Sequence, residues 1–152
     1  MRLSKNFLLS EFTKSNTATR LGIDNTPGPV EIQALQDLAD AVAQPVRDHY
    51  KRPTIITSGF RCLDLNRALR SGDNSQHILG QAMDHEVPGV SNYDLACFIR
   101  DNLSFDQLIL EFYKRGDPNS GWVHVSFVSP EKNRHEILTA EKGGIYRYGL
   151  HY

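Results

Sequence analysis

The sequence predicts an α+β fold with a mainly antiparallel sheet and helices packed on it. Three observations lead to the α+β class. A helical repeat of apolar residues fills the first third of the chain, and short β-rich runs cluster later. The last two strong runs are joined by a polar, turn-rich stretch that reads as a hairpin. The chain has 152 residues, the size of one domain. A chain that long buries roughly 70% of its unfolded surface and needs no staples. No repeat, low-complexity segment or linker interrupts it, so residues 1–152 are read as a single domain.

The first 25 residues read as a short helix and a turn, with Ser10 as cap, Phe12 as the apolar contact and Gly22 as the end. Thr26-Pro27-Gly28-Pro29 is a turn that starts the next helix, because proline suits the first helical position. From Val30 to about His49, apolar residues at Ile32, Leu35, Ala39, Val42 and Val46 form one buried helical face. Pro45 cannot donate back to Ala41 and is expected to kink this helix. Thr54 to Thr57 is a short strand by β propensity, ended by Ser58-Gly59. Cys62 to Leu69 reads as a helix, residues 71–75 as a loop and Ala82 to Val87 as a strand. Ser91 caps a helix that runs to about Asn102. Gln107 to Phe112 and Trp122 to Val128 are the hairpin strands. Glu136 to Thr139 is expected as an edge strand, and the Gly- and Tyr-rich tail carries little pattern.

Composition excludes several functions. Lys plus Arg is 17 and Asp plus Glu is 18, a net charge of -1. Such a chain has no electrostatic footprint for nucleic acid. Cys62 and Cys97 make neither a disulfide framework nor a paired-cysteine metal site, and both are expected as buried free thiols. The apolar run Phe7 to Leu9 is too short for the core of a secretory signal. No stretch approaches the roughly 20 apolar residues of a membrane span. The expectation is a monomer made in the cytoplasm, without membrane insertion.

Six histidines are present: His49, His77, His85, His124, His135 and His151. Each alone reads as a surface or satisfied core residue. Two have telling surroundings. His77 follows a Gly- and Ser-bearing loop and stands seven residues before Asp84. His124 lies within the apolar run Trp122-Val123-His124-Val125-Ser126, where a polar ring is costly unless bonded or bound. Two histidines and an aspartate make a three-ligand set, the catalytic rather than the structural pattern for zinc. Spacing alone does not establish that set.

Longer motifs go further. Ser58-Gly59-Phe60-Arg61, then Ser75-Gln76-His77-Ile78-Leu79-Gly80-Gln81-Ala82-Met83-Asp84, then Trp122-Val123-His124, occur in that order. The chain thereby resembles the zinc D-Ala-D-Ala carboxypeptidases and endopeptidases of the M15 peptidase group, in their small phage-encoded branch. It matches every fixed position of the signature Ser-x-His-x-x-Gly-x-Ala-x-Asp, and the likeness runs from about Leu3 to about Ser129. The resemblance implies a hedgehog/D-Ala-D-Ala-peptidase-like fold, with zinc held by His77, Asp84 and His124. It implies Arg61 as a contact to substrate and transition state, suited by its fixed fork of donors. It also implies Ser75 as a substrate or ligand contact; otherwise Ser75 is a loop or cap serine.

The general base departs from the wider group, many members of which place an acid three residues before the last histidine. Here that residue is Gly121. Glu111 is the candidate, since the hairpin folds its strand back beside His124, and the phage branch is similar in having a Glu there. Asp117 on the loop is the reserve. His85 is expected on the face opposite Asp84, Glu86 in a salt bridge, and Trp122 either walling the cleft or in the core. The implied activity is hydrolysis of a stem-peptide bond in peptidoglycan by a phage or prophage lysis enzyme, acting on the wall after release or from a virion. The alternative is a non-catalytic, zinc-containing wall-binding or structural phage protein.

Overall fold

The computed structural model describes residues 1–152. A small ribbon opens the chain, β1 (Arg2–Ser4) paired with β2 (Phe7–Leu8), followed by α1 (Leu9–Thr13) and α2 (Asn16–Leu21). Two helices thus replace the expected one, and Ser10 is not a cap. The Glu11 carboxylate accepts from the Leu8 N–H at 2.7 Å to start α1, and Ser15 Oγ accepts from the Ala18 N–H at 3.2 Å to start α2.

The long helical stretch begins at Pro29, as expected. It runs as α3 (Pro29–Leu38), a π turn (Ala39–Ala43) and α4 (Gln44–Tyr50). The irregularity expected from Pro45 takes the form of this wider turn, in which the Gln44 N–H reaches the Ala39 carbonyl. Proline then stands in the first turn of α4, where its missing N–H costs least.

The remaining elements are β3 (Ile55–Ser58), α5 (Leu63–Ala68), β4 (Ala82–Glu86), α6 (Asn92–Asn102), β5 (Gln107–Tyr113), β6 (Trp122–Ser126), β7 (Glu136–Glu141) and β8 (Ile145–Tyr148). One sheet holds them in the order β3-β4-β6-β5-β7-β8. Every neighbouring pair is antiparallel except β5 with β7. The β7 strand is therefore not the edge. It is interior, and the weakly patterned tail supplies β8 as the edge. All four β8 residues are exposed, so backbone pairing rather than burial places that strand, and such a strand leaves no apolar alternation to read.

Alternation along the central strands separates two faces. Met83, Leu108, Leu110, Val123 and Val125 join a 23-residue core with Leu35, Leu38, Val42 and Val46 of the long helix and Leu95 and Ile99 of α6. Asp84, Gln107, Ile109, Glu111, Trp122 and His124 line a cleft on the other face. Neither cysteine is fully buried, and Cys62 precedes α5 rather than lying in it, its Sγ 3.5 Å from the Leu65 N–H.

Candidate metal centre

His77 lies in the loop between α5 and β4 and is buried. Its ring Nδ1 meets the Gly59 carbonyl at 2.7 Å. A carbonyl only accepts, so the proton sits on Nδ1 and Nε2 keeps its lone pair. That Nε2 stands 3.6 Å from Asp84 Oδ1. Asp84 on β4 is directly opposite His124 on β6, and His124 Nδ1 is 3.0 Å from the same oxygen. Sheet register thus brings together two residues forty apart in the chain. One donor atom from each of the three residues falls within 4.8 Å of the others.

The donor set fits a divalent cation. Bonds of about 2.0–2.1 Å to a tetrahedral ion place neighbouring donors about 3.3 Å apart, and the observed 3.0 and 3.6 Å straddle that edge. The charge states fit as well. Burial pushes the His77 ring down, so it is neutral when a ligand must be neutral. Burial alone would raise Asp84, but the His124 ring bonded to it at 3.0 Å holds it far below the usual carboxylate range.

Arg61 Nη2 approaches the other carboxylate oxygen, Asp84 Oδ2, at 3.4 Å, while its Nε donates to Ser58 Oγ at 2.9 Å. Ser75 Oγ accepts from the His77 N–H at 3.3 Å, so it braces the turn that carries His77. Gly80 has φ +71, and a Cβ there would run into the Glu31 carbonyl, which accounts for the glycine in the motif.

A family model for Peptidase M15 matches residues 5–126. The chain belongs to the M15 peptidase family. No protein of curated function matches it. M15 peptidases are hydrolases and typically depend on zinc. The matched span contains all three donors, Arg61 and Glu111, and it ends before β7 and β8.

In this M15 peptidase the three donors sit in a cleft of about 760 Å³, which also takes in Arg61, Ser75, Glu111 and Trp122. Glu111 faces Trp122 across the hairpin, two residues along β5 from the Ile109–His124 pair. Burial pushes its carboxyl up, while His124 pulls the other way. Gly121 has φ +68 and lies so close to the Glu111 carbonyl that any Cβ would overlap it. This backbone has no room for an acid at that position. Asp117 does not line the cleft; it is held in the loop, where its Oδ1 accepts from the Asn119 N–H at 3.3 Å.

Glu86 makes no salt bridge and instead accepts from Asn92 Nδ2 at 3.4 Å. His85 faces the core as alternation requires, its Nδ1 2.9 Å from the Val123 carbonyl, and burial pushes it down to about 4. His49 stacks on Phe98 and His135 on Phe105.

Sequence reasoning missed Phe112, Tyr146, Arg134 and Arg70, all of which line the cleft. The register of β5 against β7 breaks between Leu110 and Tyr113, and Phe112 has φ +50. This bulge turns Phe112 toward the cleft beside Glu111, which alternation already places there, and returns Tyr113 to the core. Phe112 then stacks on Trp122 with centroids 5.0 Å apart, so Trp122 walls the cleft. A bulge set by strand pairing leaves no local sign. Tyr146 and Arg134 reach the cleft through the parallel pairing of β7, which is equally non-local.

Proposed function

We propose that this M15 peptidase is a zinc enzyme that hydrolyses a bond in the stem peptide of bacterial peptidoglycan. The type of activity is D-Ala-D-Ala carboxypeptidase or endopeptidase. We further propose a phage or prophage endolysin that degrades the cell wall after release from the cytoplasm, or a virion-borne enzyme. The observation that carries the reading is one cleft holding three convergent metal donors and a half-buried carboxylate.

A bound zinc supplies Lewis-acid polarisation of the scissile carbonyl and an acidified water. The remaining work falls to side chains. His77, Asp84 and His124 would hold the ion, with the Gly59 carbonyl fixing the His77 tautomer. Glu111 accepts the proton of the attacking water and delivers it to the departing amine. A carboxyl pushed up by burial is a stronger base than one in water, so it takes the proton of the water more readily and carries it to the amine. Arg61 offers the guanidinium that steadies negative charge on the carbonyl oxygen. The Ser75 oxygen accepts from backbone, leaving its O–H to donate to substrate.

The non-catalytic reading rested on Gly121. Glu111 in the cleft, a carboxylate from the neighbouring strand, supports the catalytic reading instead. Mass spectrometry of muropeptides after digestion of purified walls tests the proposal. New stem-peptide fragments that vanish with chelator and return with zinc are expected. Walls left intact across varied stem chemistries would overturn it.

A further inference from the structure

Helix α5 ends in a Schellman turn, with the Ser71 N–H on the Asn66 carbonyl at 3.1 Å and the Arg70 N–H on the Arg67 carbonyl at 2.9 Å. Glycine is the usual residue at the left-handed position of this turn, because a Cβ is disfavoured there. The chain has Arg70 instead, at φ +59. Lys51 ends α4 in the same conformation, and a cation suits the C-terminal end of any helix dipole. What separates Arg70 is its place, for it lines the cleft and Lys51 does not.

Charge in the cleft gives that position meaning. Arg61 is paired with Asp84 and Arg134 with Asp106, whereas Arg70 forms no ion pair. With those two pairs set aside, Arg70 and Glu111 are the lining charges left without an ion pair. A divalent ion on the three donors would make the cleft net positive. A concave site of one sign draws in ligands of the other. Ser71, Asn74 and Gln76 follow Arg70 on the same wall and add hydrogen-bonding groups.

We propose that Arg70 is a substrate-binding residue that pairs with a carboxylate of the stem peptide away from the bond being cut. The inference rests on the peptidase reading and specifies its substrate as the free acid rather than the amidated form. A planar fork of donors matches a carboxylate bidentately.

The test is calorimetric binding of a synthetic stem tetrapeptide to the full, zinc-loaded chain carrying Glu111→Gln. The peptide is used once with its carboxylates free and once with all of them amidated. The acid is expected to bind about tenfold more tightly than the amide. Arg70→Gln should erase that preference and Arg70→Lys should keep part of it. Arg70→Gly should erase it while raising Tm, because glycine relieves the left-handed position. An acid preference that survives in Arg70→Gln, or no preference in the Arg70-bearing chain, overturns the inference, as does a Tm gain in Arg70→Gly with the preference intact. Wall digestion by the Glu111-bearing chain is scored separately. Loss of the acid preference in Arg70→Gln, with no digestion by the unmodified chain, would keep Arg70 as a carboxylate site and remove the peptidase reading. Digestion with no acid preference would do the reverse.

Discussion

Alternate residues of β4, β6 and β5 serve two unlike faces. Met83, Val123, Val125, Leu108 and Leu110 meet the helices, whereas Asp84, His124, Glu111 and Gln107 meet the cleft. On the first face, removal of apolar surface from water stabilises the fold. On the second, ionisable groups are drawn together and partly out of water, which costs stability until a ligand arrives. The contrast teaches where function sits on this sheet: the face that burial does not explain is the one with convergent donors. His85 marks the border, a histidine on the core face that burial keeps neutral.

The comparison breaks most sharply under substitutions that should damage one face alone. Glu111→Gln is expected to lower kcat about 10²–10⁴-fold on wall substrate while leaving zinc content unchanged, read by turnover and elemental analysis. Leu110→Ala on the opposite face of the same strand should cost about 2–5 kcal/mol of stability by chemical denaturation, with kcat per folded molecule preserved. Equal activity losses from the two would collapse the distinction between the faces.

Gly121→Ala should act on both faces at once. It forces a Cβ against the Glu111 carbonyl in a left-handed backbone. A cost of about 1–3 kcal/mol is expected, together with a fall in kcat from the displaced carboxylate. Retained stability with full activity would show that the close approach is not needed.

The smallest effect is in pH dependence. Burial raises the Glu111 carboxyl, so the folded chain favours its protonated form. The penalty for the ionised group is therefore present at neutral pH and disappears as pH falls through the raised value. In chelated protein, Glu111→Gln should gain about 2 °C in Tm at pH 7, and the gain should fade on acidification. A gain independent of pH would mean that the charge is not its source.

How much of this was legible in the sequence differs between the faces. The helical repeat from Leu35 to Val46 and the apolar runs in β5 and β6 announced the core, because burial selects residue type. His77, Asp84 and His124 were legible only through the longer motif, and the register of β4 with β6 is what unites them. The acid that serves the cleft could be sought from the chain order of the hairpin, but the bulge at Phe112 could not. It comes from pairing with β7, a strand two dozen residues further on. The edge strand β8 and the short ribbon at the N-terminus escaped for a similar reason, since few or none of their side chains are buried. Arg70 left no sign either, because only the fold shows that its turn opens on the cleft.

Metal content tests the central claim most directly. Chain purified without added metal and then dialysed against dilute zinc should carry one ion per molecule by elemental analysis, and His124→Ala and Asp84→Ala chains that remain folded should carry essentially none. Zinc retained at one per chain in both variants would place the ion elsewhere and contradict the account.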